Sequence, residues 1–460
     1  MTEIDVYSGD GTVFSSRKDV SPPFSVPSTD AYAAIVGESR IRRLHEAADR
    51  LKGIKLLHLN ATAKGGGVAE MLYSAVPMLH DLGIVTEWKI VRGTREYFEC
   101  TKLLHNLLQG LEGTFTPACE EIYFQTLQQC ATKKFLDYSP DLVLVHDPQP
   151  LGLTSCIRKP NEVWFWRCHI DIEEAALKAN PNLWAFMNKW VSQYDAAIFS
   201  AAHYVVSRWP LPKFIIPPFI DPLSEKNREM GEDEIARVLD KYEIDQSVPI
   251  IAQIGRFDPW KGLDRTIATF RLMRQEVPCQ LILAGGTASD DPEGQRVLNE
   301  IRALTEKDEH LRVLELSLDD RLQNWREVNA LQRSARVLMQ PSTREGFGLV
   351  VTEGMYKGKP VIAANVGGMP LQARDGDTGY FYINPQETSK LVVELLKNPR
   401  AAAAVGDRAR RYVEEHFLMP DRLADCLLAF DMILNQSAGR KLSPETIISY
   451  HPWFKLCKRP

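Results

Sequence analysis

The chain has 460 residues, 44% hydrophobic and 25% charged, with 28 glycines, 28 prolines and a net charge of −5. Single cores rarely grow far past ~250 residues, so this length predicts two or three domains of ordinary globular composition. The mild acidity excludes the electrostatic footprint of a nucleic-acid or anionic-membrane binder, and no run approaches the ~18 apolar residues of a membrane span.

Taken in chain order, residues 1–34 carry Ser, Pro and Asp without helical or strand period and are expected to form an N-terminal extension. Its start, MTEIDVYSGDGTVF, lacks a basic segment followed by an apolar run, so no signal peptide is expected. From 35 to 220, the runs IKLLHLNAT, TEWKIVRG, DLVLVHDPQP, EVWFWRCHI, DAAIFSA and FIIPPFI read as strands. Between them lie helical patterns such as GVAEMLYSAVPMLHDLG, PNLWAFMNKWVSQY and a long region reaching about residue 137. Short apolar runs separated by helices predict a parallel sheet buried on both faces.

The Pro- and charge-rich segment PPFIDPLSEKNREMG marks a domain boundary near 220. From 221 to 430 the alternation restarts with PIIAQIGRF, CQLILAGG, LRVLEL, ARVLMQPS, PVIAANVGG and GYFYINP. The predicted fold is α/β, two doubly wound Rossmann-like domains facing a central cleft, with ligands at the carboxyl ends of strands. The tail, 431–460, is expected to pack back toward the first domain. Eight scattered cysteines (Cys100, Cys119, Cys130, Cys156, Cys168, Cys279, Cys426 and Cys457) show no C-x-x-C or zinc spacing. They read as reduced thiols of a cytoplasmic protein.

The chemistry-bearing stretches fall at strand ends. In REGFGLVVTEG, the amides of Gly346, Phe347, Gly348 and Leu349 open a helix, where free N–H groups and the helix dipole suit a phosphate. Glu345 and Glu353 flank that start, and a carboxylate there makes sense against sugar hydroxyls or a developing positive charge. Arg256 and Lys261, in IGRFDPWKG, lie on a turn after a strand, where a diphosphate needs neutralising. In LLHLNATAKGGGVAEML, the run Gly65, Gly66, Gly67 repeats the logic of strand, glycine turn and helix, yet matches neither the dinucleotide fingerprint nor a Walker loop. VHDPQP (His146, Asp147, Gln149) and WRCHIDI (Arg167, His169, Asp171) end strands in polar residues suited to hydroxyl recognition. Trp164, Trp166 and Trp260 read either as core or as sugar platforms. The pairs Asp290-Asp291 and Asp319-Asp320 read as solvated loop charges, so no metal site is expected.

GRFDPWKG followed by E-x7-E in REGFGLVVTEGMYKGKPVIA resembles the retaining glycosyltransferases of family 4, with the glycosyltransferase-B fold. LNATAKGGGVAEML, VHDPQP, WRCHIDI, PPFIDPLSEKN, DDPEG and REGFGLVVTE are, more closely, similar to the trehalose glycosyltransferring synthases over about residues 35 to 430. The resemblance implies transfer of glucose from a nucleoside-diphosphate glucose to glucose, giving α,α-trehalose reversibly with retention. It implies that Arg256 and Lys261 grip the diphosphate, that Glu353 holds the ribose, and that Glu345 with the amides from Gly346 to Leu349 meets the donor glucose. Gly66 and Gly67 would close over the donor. His169 would sit by the reacting glucose, with Asp147, Gln149 and Arg167 on the acceptor side.

Catalysis is expected from Glu345, His169, Arg256 and Lys261 without a cofactor, Mg2+ serving at most as a stimulant. Partners would be the two sugars and the nucleotide, without nucleic acid or membrane, in a monomer or homodimer. The alternatives are a trehalose phosphorylase using inorganic phosphate, a sucrose or sucrose-phosphate synthase-like transferase, a nucleotide-sugar sensor, or an oxidoreductase, the last opposed by the missing G-x-G-x-x-G.

Overall fold

The computed structural model describes residues 27–132, 138–286, 292–435 and 442–451, with the backbone of Thr12–Ser15. Most of the N-terminal extension, the Asp290-Asp291 pair, Cys457 and part of the tail lie outside the described residues. The chain divides into two units: one comprises Met1–Pro218 together with the stretch from Met419, the other Phe219–Leu418.

The first unit is built on an eight-stranded sheet in the order β1-β3-β2-β4-β5-β6-β7-β14. Its strands are β1 (Thr12–Ser15), β2 (Lys55–Asn60), β3 (Val85–Ile90), β4 (Leu142–His146), β5 (Val163–Cys168), β6 (Ala196–Phe199), β7 (Lys213–Ile215) and β14 (Ile447–Ser449). All neighbours pair in parallel except β1, which lies antiparallel on β3. The extension is therefore more than an arm: it supplies an edge strand, and Thr29 Oγ1 donates 2.7 Å to Asp81. Every residue of β4 is buried, as a strand covered on both faces requires.

Helices α1 (Glu38–Asp49), α2 (Gly67–Asp81), α3 (Arg95–Leu108), α4 (Pro117–Cys130) and α5 (Pro181–Val191) flank this sheet. The long helical region up to 137 is two helices rather than one. Gly110 closes the first, and the Thr116 side chain accepts the Cys119 N–H to start the second. Trp88, Trp164, Trp166, Trp190 and Trp209 are fully buried, which settles Trp164 and Trp166 as core.

The second unit has six parallel strands in the order β10-β9-β8-β11-β12-β13. These are β8 (Ile250–Ile254), β9 (Gln280–Gly285), β10 (Leu311–Glu315), β11 (Val337–Gln340), β12 (Val361–Ala363) and β13 (Tyr380–Phe381). Its helices include α6 (Leu263–Met273), α7 (Arg321–Ser334), α8 (Leu349–Tyr356) and α9 (Pro399–His416). Ile251, Phe270, Leu281, Leu283, Val337 and Ile362 form the core on one face. Asp320 is not a free loop charge, because it caps α7 by accepting the Gln323 N–H at 2.9 Å.

The second-domain boundary drawn at residue 430 moves to 418. Helix α10 (Met419–Leu434) belongs to the first unit, where it packs along α1. Arg40 Nε donates 2.9 Å to Asp421, Arg43 Nη2 donates 2.5 Å to Asp425, and the fully buried Arg422 lies 3.2 Å from Asp425. At its buried end, Arg422 and Asp425, such an array is tolerated because each charge meets an opposite one. The described part of the tail then adds β14 beside β7. No helix among the described residues is long and apolar enough to cross a membrane.

Candidate active site

In each sheet the strand order reverses once, between β2 and β4 in the first unit and between β8 and β11 in the second. Ligands of open α/β sheets bind outside the carboxyl ends of the strands at such a switch. The residues singled out by sequence cluster there. Gly66 and Gly67 follow β2, and Asp147 and Gln149 follow β4. Arg256 and Lys261 follow β8, and Glu345 to Leu349 follow β11.

In the second unit the two loops are tied together. Trp260 O accepts the Thr343 N–H at 2.7 Å, and Gln253 on β8 donates 2.7 Å to Lys261 O. Gly262 turns the chain into α6 with φ 64, and a Cβ there would lie 2.2 Å from Pro341 O, so only glycine allows this approach. Lys261 Nζ lies 2.5 Å from Glu345 Oε2, with both side chains about one-sixth exposed. Arg256 remains half-exposed, its nearest paired carboxylate, Asp258, 3.9 Å away. Arg344 stacks over Trp260 at 5.5 Å.

Helix α8 begins from Gly348 in the left-handed conformation, φ 80, and no side chain caps it. The amides of Leu349 and Val350, its first two residues, lack intrahelical acceptors and carry the positive end of the helix dipole, whereas the Val351 N–H already donates 2.9 Å to Gly348 O. The Phe347 ring is buried against Phe417, so Phe347 can offer a ligand only its backbone. Glu353, the fifth residue of α8, stands little more than one turn inside the helix and is 2% exposed. Lys226 Nζ lies 2.9 Å from its Oε1, and Gln332 Nε2 donates 2.9 Å to its Oε2. Burial alone would raise this carboxyl, but Lys226, Lys357 and the Gln332 bond hold it below its ordinary value. Sequence reasoning missed Lys226 and Gln332, which lie far from Glu353 along the chain. A carboxylate has about four acceptor sites, so two hydrogen bonds leave lone pairs for a ligand.

In the first unit, Gly65 and Gly66 take φ 69 and 83 and lead into α2. After β4, Asp147 adopts φ 63 and its Oδ1 accepts the His169 N–H at 2.8 Å. Burial pushes the Asp147 carboxyl up to about 7, against the pull of that amide and of Arg167. Arg167 is 4% exposed, its Nη1 donating 3.3 Å to the Cys426 thiol while Nε and Nη2 find no protein partner. Gln149 Oε1 and His169 Nδ1 are likewise buried without a partner. Unsatisfied buried polar atoms on three of the four acceptor-side candidates mark a place where a polar ligand would complete the bonding. His146 contacts His169 on one side and His58, unflagged in the sequence, on the other, at 3.1 Å each.

Residues 58–206 match the family described as trehalose synthase, N-terminal domain, and residues 235–412 match glycosyl transferases group 1. A trehalose synthase of Pyrococcus horikoshii is 41% identical over 392 residues, covering 84% of this chain and 92% of that protein. A trehalose phosphorylase of Pleurotus pulmonarius is more distant, 27% identical over 90% of this chain and 62% of its own length. A solved structure described as "Trehalose-6-phosphate from E. coli bound with UDP-2-fluoro glucose" superposes with a TM-score of 0.64 at 13% identity, over 83% of this chain and 99% of that one. At that identity the likeness speaks to fold alone.

Two parallel-sheet units and a group 1 transferase domain define a glycosyltransferase of the glycosyltransferase-B fold. Within that class, the chain belongs to the trehalose synthase family.

Proposed function

We propose that this enzyme transfers glucose from a nucleoside-diphosphate glucose to free glucose with retention, forming α,α-trehalose reversibly. The observation that carries the reading is the Lys261–Glu345 pair beside Arg256 and the uncapped start of α8, all at the β8/β11 switch. Arg256, Lys261 and the α8 amides would take the diphosphate, Glu345 the donor glucose, Glu353 the ribose. The loop of Gly66 and Gly67 would cover the donor, and His169, Arg167, Gln149 and Asp147 would serve the sugars.

In the reaction, an anomeric hydroxyl oxygen of the acceptor bonds to C1 of the donor as the bond from C1 to the β-phosphate oxygen breaks. The hydroxyl proton passes to the departing phosphate on the same face. Glu345, held by Lys261, is poorly disposed to act as a nucleophile, and its charge instead stabilises the oxocarbenium-like centre. Positive charge for the leaving group comes from Arg256 and Lys261, so Mg2+ would stimulate at most.

The phosphorylase reading draws on Glu353 already having two protein partners. Trehalose cleavage separates the two. Consumption with a nucleoside diphosphate, persisting in the presence of chelator, is expected. Consumption with inorganic phosphate alone would overturn the donor assignment, and full dependence on a divalent ion would overturn the metal-free chemistry.

A further inference from the structure

His58 on β2, His146 at the end of β4 and His169 just beyond β5 form one hydrogen-bonded ladder across three adjacent strands. His58 Nδ1 lies 3.1 Å from His146 Nε2, and His146 Nδ1 lies 3.1 Å from His169 Nε2. Successive rings stack with centroids 5.4 Å apart. The residues are 4%, 3% and 7% exposed. Burial, reinforced by Arg167, holds all three imidazoles far below their ordinary protonation range, so each is neutral near pH 7.

A neutral imidazole donates from one nitrogen and accepts at the other. Two contacts in series therefore admit only two arrangements: every ring protonated on Nδ1, or every ring on Nε2. Any other would set two lone pairs or two hydrogens face to face. The choice is made at the ends of the ladder, where His58 Nε2 and His169 Nδ1 have no protein partner. The Nε2–H arrangement would bury an N–H at His58 with no acceptor. The Nδ1–H arrangement leaves a lone pair there and moves the unpartnered N–H to His169, where, on the reading that His169 lines the sugar site, a hydroxyl oxygen can accept it.

We propose that His58 and His146 are positioning residues that fix His169 as its Nδ1–H tautomer, so that it meets the sugar as a hydrogen-bond donor and not as a base. The proposal rests on the reading that His169 lines the sugar site. Under it, Nδ1–H points to a hydroxyl oxygen of the reacting glucose, and the acceptor's proton must leave by another route. The departing phosphate supplies that route. The charged or titratable groups facing the ladder, Arg167 on β5 and Asp147 beyond β4, do not themselves bridge the rings.

Nitrogen-15 NMR of the histidine side chains in the ligand-free wild-type enzyme tests the tautomer directly. A pyrrole-type Nδ1 and a pyridine-type Nε2 are expected for all three residues. A pyrrole-type Nε2 at His169, or a charged ring, would overturn the proposal. His146→Phe keeps a ring in the stack but removes both bonds. It should let His169 sample both tautomers and lower kcat about tenfold, the worth of one hydrogen bond, with KM for the donor little changed. His146→Gln, which still accepts on one side and donates on the other, should recover most of that loss. Equal losses in the Phe and Gln variants would overturn the positioning role. A wild-type kcat in His169→Ala would instead refute the placement of His169 at the sugar, while leaving the tautomer measurement standing.

Discussion

Lys261 Nζ and Glu345 Oε2, 2.5 Å apart, join the loop after β8 to the loop after β11, and so link the cation proposed to grip the diphosphate to the carboxylate proposed to meet the donor sugar. The two roles are thus energetically coupled before any ligand arrives. Glu345→Gln should act mainly on kcat, because positive character on the sugar develops only in the transition state. Lys261→Ala should raise donor KM. A double-mutant cycle on kcat/KM should return a coupling of ~1–3 kcal/mol. Simple additivity would mean that the pair has no bearing on turnover.

Glu353→Gln is expected to cost both binding and stability. Loss of its charge leaves the Lys226 ammonium, about one-seventh exposed, without its counterion. Unfolding free energy should fall by ~1–3 kcal/mol, and donor KM should rise about tenfold with a smaller change in kcat. Denaturant melts and steady-state kinetics read the two effects separately. A variant with normal stability and abolished turnover would transfer the catalytic role from Glu345 to Glu353.

At Asp147 the backbone asks for a residue that tolerates φ 63, and the His169 amide asks for an acceptor. Asparagine meets both demands and alanine neither. Asp147→Asn should stay within ~0.5 kcal/mol of wild type, whereas Asp147→Ala should lose about 2 kcal/mol. If Asn were as damaging as Ala, the negative charge itself would be the needed feature.

The neutral histidines give stability a definite pH slope. Burial lowers His58 to about 3 and holds His146 and His169 well below the ordinary value, whereas an unfolded histidine titrates near ~6.5. Between those limits the unfolded chain binds more protons. Stability therefore rises with pH across this window and is lost as pH falls below ~6.5, by up to ~1.4 kcal/mol per pH unit for each histidine. Urea unfolding between about pH 7 and pH 5 should show His58→Gln with a slope shallower by about one proton. An identical slope would mean that His58 is charged in the folded protein.

Both sheets were legible because buried parallel strands write themselves as short apolar runs, and the switch-point residues because glycine turns and cations interrupt those runs. The strand at Thr12–Ser15 was not, since a four-residue edge strand has too few positions to show a period. Helix α10 was assigned to the wrong unit because an apolar helix face does not declare which sheet it covers. Its partners Arg40 and Arg43, nearly four hundred positions earlier, show where it docks. For the site, sequence gave the types of residue and missed their partners. Lys226, Gln332 and His58 matter through contacts that no spacing along the chain encodes.

The return of α10 and β14 to the first unit makes the second unit an insertion in the chain. During synthesis the ribosome therefore delivers the complete six-stranded unit while the eight-stranded sheet still lacks its last strand. Domains generally fold as units, so the inserted one can mature first, and its neighbour must wait for the stretch beyond 418. A chain cut short there would keep every residue of the proposed diphosphate grip and lose the helix that closes over Arg167.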